Sequence, residues 1–323
     1  MKTLGDIKKI AVLGAGTMGP GIAQTYAMGG YSVVMWTRSE KTREKAQAAL
    51  HSQLETFAQE GEINADDVEK IYDRVRFALT VEEAVDGADF IQETIVENRD
   101  AKAALYEQLA ACVPDDVIIA SNTSALNIFE IVPEKLLPQQ IICHWYAPPQ
   151  LIPLVEVVKS EQAPQEFADI AMELLKKCGK TPVLMKKFIR GYIVNRLQQC
   201  LNQEIFYLLE HDYCDAEAID LACKASFIPR ACVLGLCKRM DFGGVDMTAN
   251  NFRNHSYEMP HPPKSEVIPN VLAEMVEKNE LGIKTGKGFY DYSNVDIEEL
   301  KAKRDKQLFE IFRLEKKFLE DPV

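Results

Sequence analysis

The chain has 323 residues, which at roughly 150 residues per domain suggests two domains. It is 47% hydrophobic and 27% charged, an ordinary globular balance, and long enough to bury a core without disulfide or metal staples. Its 37 basic and 49 acidic side chains leave a formal net charge of −12, which argues against a nucleic-acid backbone or an anionic membrane surface as partner. The segment Met1–Lys9 is charged and runs straight into a strand pattern, so no signal peptide is expected. The apolar runs fall far short of the roughly 20 residues a membrane span needs. Eight scattered cysteines without a C-x-x-C pair are expected to be reduced thiols of a cytoplasmic protein.

Short apolar runs at Ile10–Leu13, Ser32–Trp36, Val75–Leu79, Phe90–Ile91 and Val117–Ala120 alternate with longer amphipathic stretches. Runs at Ile141–His144, Leu154–Val158 and Pro182–Met185 continue the series. Strands separated by helix-length connections predict βαβ units and a mainly parallel sheet. Directly after the first run comes Gly14-Ala15-Gly16-Thr17-Met18-Gly19, which fits G-x-G-x-x-G and opens an apolar helix (Met18, Ile22, Tyr26). In that setting the first glycine permits a tight turn, the second lets backbone approach a pyrophosphate, and the third allows close helix–strand packing. The helix N-terminus adds free N–H groups and partial positive charge. Gly14, Gly16, Thr17, Met18 and Gly19 are therefore expected to hold the phosphates of a dinucleotide.

A site specific for NAD places an acid at the end of the second strand, where it bonds the ribose 2′-hydroxyl. Here that strand ends in Thr37-Arg38-Ser39, with no acid before Glu40. A guanidinium and two hydroxyls suit a 2′-phosphate, which predicts NADP as the preferred cofactor with NAD possible. The alternative makes Arg38 a solvated turn residue and gives Glu40 the acid's role.

Near Lys186 the pattern changes. From Gly191 apolar residues recur at helical spacing (Ile193, Leu197, Leu201, Ile205, Leu208), and no further strand is convincing. The expected architecture is α/β, a mainly parallel sheet domain over 1–187 followed by an all-α domain over 188–323. The charged stretch Asp296–Glu320 carries Leu308, Ile311, Phe312, Phe318 and Leu319 as one apolar stripe, the pattern of a C-terminal helix docked on its own domain. The Gly282–Gly288 stretch lacks P-loop spacing, and His211, His255 and His261 lack ligand-like spacing, so no metal is expected. Cys143 adjoins His144, but consecutive strand residues face opposite sides, which argues against a Cys–His dyad.

Six blocks in order resemble the 3-hydroxyacyl-CoA dehydrogenases: Gly14–Gly19, Val96-Glu97-Asn98, Ser121-Asn122-Thr123-Ser124, His144–Glu156, Gly191–Arg196 and Gly282–Tyr290. The resemblance implies a Rossmann-type N-terminal domain and a helical C-terminal domain that mediates dimerisation. It further implies reversible oxidation of a 3-hydroxyacyl group, with 3-hydroxybutyryl-CoA as an example. The family's base and supporting carboxylate match His144 and Glu156. The chemistry agrees, since a secondary alcohol must lose its proton as hydride leaves, imidazole titrates near neutrality, and a carboxylate behind it fixes the tautomer. By the same resemblance Ser124 and Asn195 hydrogen-bond the reacting oxygen, and Glu97 and Lys102 contact the cofactor's nicotinamide end. Ser124 also reads as an N-cap of a helix over 125–132.

Three departures bear on the substrate. Ala147 stands where the family has an asparagine three residues after the histidine, and Pro148–Pro153 is more similar to the L-gulonate and L-carnitine dehydrogenase branch. Glu55, Glu60, Glu62, Asp66, Asp67 and Glu69 place acid on the segment expected to hold a CoA tail. The stretch Ser226–Met247 keeps the family's substrate-domain motif only in part, and Arg230 there could meet a carboxylate or a structural partner. A free 3-hydroxy acid such as L-gulonate or L-carnitine is therefore an alternative substrate. A non-catalytic, crystallin-like cofactor binder is an alternative function.

Overall fold

Every apolar run read as a strand forms one, within one or two residues at each end. The strands are β1 (Lys9–Leu13), β2 (Ser32–Trp36), β3 (Val75–Ala78), β4 (Phe90–Glu93), β5 (Ile118–Ser121), β6 (Gln140–Trp145), β7 (Leu154–Lys159) and β8 (Thr181–Leu184). The computed structural model describes residues 2–243, 246–247, 250–251, 270–283 and 285–320. These fall into two units, Met1–Ile193 and Val194–Val323.

In the first unit the strands form one sheet in the order β3-β2-β1-β4-β5-β6-β7-β8. Neighbours run parallel, except that β6 and β7 pair antiparallel. Helices α1 (Gly19–Met28), α2 (Glu40–Gln59), α3 (Val68–Tyr72), α4 (Val81–Val85), α5 (Arg99–Cys112) and α6 (Gln165–Lys177) connect them. Strand alternation splits the core in two. Ile10, Val12, Val33, Met35, Cys143 and Trp145 cluster with Ile22 and Tyr26 of α1, Leu50 and Leu54 of α2, and Leu174 of α6. Ala11, Leu13, Val34, Ile91 and Ile142 cluster with Leu105 and Leu109 of α5. Strands buried on both sides need near-continuous apolar runs, which is why they were readable.

Sheet order reverses between β1 and β4, and the carboxyl ends of these strands border the crevice where open α/β sheets bind ligands. The site residues cluster at this edge because β4, β5 and β6 all deliver their carboxyl ends to it. The predicted helix over 125–132 is absent: only a single 3₁₀ turn, Ile128–Glu130, forms, and Ser124 caps nothing.

The described residues of the second unit are mostly helical: α7 (Val194–Glu210), α8 (Ala216–Ala222), a π-helical turn at Cys223–Phe227, α9 (Ile228–Leu234), α10 (Leu236–Gly243), and later Asn270–Glu277 and Ile297–Glu320. The C-terminal helix buries Phe309, which the stripe read from the sequence omitted, and leaves Ile311 exposed. The side chains of Phe318 and Leu319 lie outside the described residues, as do His255 and His261. No helix among the described residues is long and apolar enough to cross a membrane.

Candidate active site

The turn after β1 shows what each glycine is for. Gly14 has φ +124°, and a Cβ there would lie 2.6 Å from the Thr94 carbonyl oxygen on the neighbouring strand's exit. A Cβ on Gly19 would lie 2.0 Å from the Gly14 oxygen. Gly16 differs, because a Cβ there would meet nothing within 4 Å. Its backbone faces open space at the start of α1, whose N-cap, Met18, provides no side-chain cap. Thr17 is exposed and Met18 half-buried beside it. Uncapped helix N–H groups behind an open glycine cradle fit an incoming pyrophosphate.

At the end of β2, Thr37 is buried and its hydroxyl faces the Ala78 carbonyl at 3.5 Å. That leaves Arg38 and Ser39 as the exposed groups of this turn. Ser39 caps α2 through the Thr42 amide at 3.3 Å. Glu40 begins the helix and pairs with Arg43 one turn on.

The hairpin β6–β7 puts His144 and Glu156 directly opposite each other in register. His144 Nδ1 lies 2.9 Å from Glu156 Oε2, and both residues are buried. Glu156 also accepts from the Tyr146 hydroxyl at 2.7 Å and from the Ile193 amide at 2.9 Å. A carboxylate so placed accepts the Nδ1–H and holds that tautomer. Nε2 is then the acceptor, and it faces the Ser124 hydroxyl at 3.2 Å. Tyr192 stacks on the imidazole with ring centroids 4.5 Å apart and an interplanar angle of 28°. Its backbone is left-handed (φ 50°), a conformation that costs an aromatic residue about 1–2 kcal/mol and is held here by a 2.7 Å bond from its hydroxyl to the Thr123 carbonyl. Cys143 points into the opposite core, where burial pushes its thiol far up, so it takes no part.

Ser124, His144 and Glu156 form a hydrogen-bonded triad, which raises acyl transfer as a competing chemistry. That chemistry needs free N–H donors beside the serine for an oxyanion. Here the amides of Ser124, Ala125 and Leu126 all point at Glu97 Oε1, at 2.9, 3.0 and 3.3 Å. The Thr123 hydroxyl donates to the same oxygen at 2.6 Å. An occupied anion hole rejects hydrolysis and gives Glu97 an observed task, holding the Ser124 loop. Burial pushes the Glu97 carboxyl up, but the Thr123 hydroxyl, the loop amides and Lys102 outweigh it and hold it below the ordinary carboxylate range. Its anchoring is therefore present above that range and lost as pH falls through the depressed value.

Lys102, by contrast, has no exposed surface. Its ammonium lies 2.6 and 2.8 Å from the two oxygens of Glu93 at the end of β4, and 3.7 Å from Glu97. A cation enclosed in this way fixes two carboxylates at once. Glu93 also accepts from Ser121 at 2.5 Å and from the Ile95 amide at 2.8 Å.

The family model described as 3-hydroxyacyl-CoA dehydrogenase, NAD binding domain, matches residues 9–188, and that of the C-terminal domain matches 191–292. The chain belongs to the 3-hydroxyacyl-CoA dehydrogenase family. It is 34% identical over 288 residues to a probable 3-hydroxybutyryl-CoA dehydrogenase of Bacillus subtilis, covering 89% of this chain and 98% of that one. It is 31% identical over 312 residues to the 5-formyl-3-hydroxy-2-methylpyridine 4-carboxylate 5-dehydrogenase of Mesorhizobium japonicum, covering 95% and 98%. A crystal structure of such a pyridine-carboxylate dehydrogenase, an NAD+-dependent dismutase, superposes with a TM-score of 0.85 at 26% identity, over 98% of this chain and all of that one. The protein is thus an oxidoreductase of the 3-hydroxyacyl-CoA dehydrogenase type that binds a nicotinamide cofactor.

In this 3-hydroxyacyl-CoA dehydrogenase relative, the first unit brings together His144, Glu156, Ser124 and Glu97, with Lys102 behind. Asn195 opens α7 in the second unit. The sequence reading missed Glu93, Tyr146 and Tyr192. Glu93 carried a signal, an acid ending an otherwise buried strand. Lys102→Met is expected to cost about 3–5 kcal/mol in chemical denaturation, because it strands the Glu93 charge in the core. A loss under about 1 kcal/mol would contradict that reading of the pair.

Proposed function

We propose that the protein catalyses reversible hydride transfer between a nicotinamide and the hydroxyl-bearing carbon β to a carbonyl, with His144 as base. The observation that carries this is the Glu156–His144–Ser124 chain, in which Nδ1 is held by the carboxylate and Nε2, facing the Ser124 hydroxyl, is the proton acceptor. His144 Nε2 takes the hydroxyl proton, and Glu156 stabilises the imidazolium that results. The Ser124 hydroxyl, held by the Glu97-bound loop, bonds the reacting oxygen, and Asn195 shares that task on the family's pattern. When bound, the nicotinamide supplies the hydride acceptor. The open Gly16 cradle with Gly14, Thr17, Met18 and Gly19 receives its phosphates. Glu97 and Lys102 keep their family place at the nicotinamide end through the loop and ion pair described above.

Arg38 and Ser39 support NADP over NAD, since no carboxylate occupies the turn and Glu40 is engaged by Arg43. The expected result is a kcat/KM at least about tenfold higher with NADPH than with NADH, reversed by Arg38→Asp. A preference for NADH in the unaltered chain would overturn it.

The family substrate, a 3-hydroxyacyl-CoA such as 3-hydroxybutyryl-CoA, is the first reading. A second, a free hydroxy acid, is favoured by the exposed acids Glu55 on α2, Glu62 and Asp66 on the segment after it and Glu69 on α3, which would repel CoA phosphates. The full-length likeness to a pyridine-carboxylate dehydrogenase points the same way. Comparing turnover of 3-hydroxybutyryl-CoA with free 3-hydroxybutyrate, L-gulonate and L-carnitine separates the two. The domains would divide as a cofactor domain over 1–187 and a substrate and dimerisation domain over 188–323, in a cytoplasmic homodimer. Leu197 and Leu201, each over two-fifths exposed on the amphipathic α7, support such a contact.

A further inference from the structure

Lys180 lies between α6 and β8, is only 8% exposed, and takes no part in the site described above. Its ammonium donates to the Pro149 carbonyl at 2.5 Å and the Ile152 carbonyl at 3.0 Å, and sits 5.4 Å from the centre of the Trp145 ring. It forms no ion pair among the described residues. Burying an amine without a carboxylate is costly, so the position calls for an explanation beyond stability.

The two carbonyls belong to the loop joining the His144 strand to the Glu156 strand. The far side of that loop rests on the phosphate-binding helix: a Cβ on Gly21 would lie 2.4 Å from Gln150 Oε1 and 2.8 Å from Pro149 Cγ. Pro149 therefore touches the first turn of α1 with its ring and Lys180 with its carbonyl oxygen. Gln150 Oε1 is buried without a hydrogen-bond partner, so packing and the lysine hold this loop rather than a bond of its own to α1.

We propose that Lys180 is a positioning residue for the cofactor, its ammonium clamping the 148–152 loop against the first turn of α1 and adding positive charge behind the phosphate site. This rests on the reading of Gly14–Gly19 as the phosphate cradle, and is independent of His144's role as base. Burial lowers the Lys180 amine to about 7, so the clamp changes charge near neutrality. The titratable groups on the elements around it do not change there. Burial holds the Cys178 thiol at about 12, and Tyr26 on α1 and Tyr31 are both pushed above the ordinary phenol range. Lys177 lies over the Tyr31 ring at 4.6 Å. Residues 148–152 carry no ionisable side chain, Tyr146 at the start of the loop donates its hydroxyl to Glu156, and His144 and Glu156 face the opposite side of the sheet from Trp145.

The test is the dissociation constant of NADH for the full chain between about pH 6 and pH 9, read from nicotinamide fluorescence, for the natural chain, Lys180→Met and Lys180→Arg. In the natural chain affinity should fall about tenfold as pH rises through neutrality. Lys180→Met should be about tenfold weaker at the acid end and flat, and Lys180→Arg flat at the tighter level. Trp145 emission in a Trp36→Phe background should titrate with the same midpoint only when Lys180 is present. A pH-independent NADH affinity in the natural chain would overturn the proposal even if the methionine variant does not fold. A profile that survives in Lys180→Arg, or disappears in His144→Ala, would also overturn it. Loss of all NADH binding when Gly16 alone is altered, with the lysine profile absent, would leave the cradle standing and remove the clamp.

Discussion

Replacing His144 with alanine is expected to lower turnover by about 10³-fold while leaving the chain folded and able to bind nicotinamide dinucleotide. The imidazole is the one group here that couples a neutral proton acceptor, Nε2, to a buried carboxylate through Nδ1 at 2.9 Å. Its removal does not strand Glu156, which keeps the Tyr146 hydroxyl and the Ile193 amide. Folding should therefore survive, and thermal unfolding of the variant would check this. Glu156→Gln should fall between the variant and the natural chain, since an amide can turn its NH₂ toward Nδ1 and favour the wrong tautomer. Unchanged turnover in His144→Ala would defeat the mechanism, and no turnover in the natural chain with any hydroxy substrate would favour a binding-only protein.

The glycine turn gives the second large effect, and its three glycines separate. Gly16→Ala should unfold at the natural temperature but bind NADH at least about 100-fold more weakly, because the new methyl clashes with nothing in the protein and fills the cradle. Gly14→Ala and Gly19→Ala should instead lose about 3 kcal/mol or more of stability. The first forces a side chain onto φ +124° beside the Thr94 carbonyl, and the second drives one into the Gly14 oxygen. Unimpaired NADH binding by Gly16→Ala would show that the phosphates lie elsewhere.

Much of this was legible beforehand because burial writes itself into composition. Strands covered on both faces must be apolar along their length, which made the central strands readable; the edge strands β3 and β8, with exposed positions such as Arg76 and Thr181, kept shorter apolar stretches. The phosphate turn was legible because only glycine satisfies its three constraints. Glu97 and Lys102 were found by resemblance, but their work was not legible. That Glu97 takes three loop amides, and that Lys102 is enclosed with Glu93, depend on β4, β5 and α5 meeting at one edge. Tyr192 was invisible for a similar reason, since stacking on a residue 48 positions away (144 to 192) leaves no local pattern. Of the helix expected over 125–132 only the 3₁₀ turn Ile128–Glu130 forms, and the amides ahead of it donate to Glu97, a residue distant in sequence.

The most direct measurement is the stoichiometry of nicotinamide reduced to 3-oxo product formed, with 3-hydroxybutyryl-CoA and the free hydroxy acids each offered to the natural chain and to His144→Ala. The prediction is one reduced nicotinamide per oxidised hydroxyl in the natural chain with at least one of these substrates, and almost none in the variant. Equal reduction by both proteins, or reduction without a matching 3-oxo product, would contradict it.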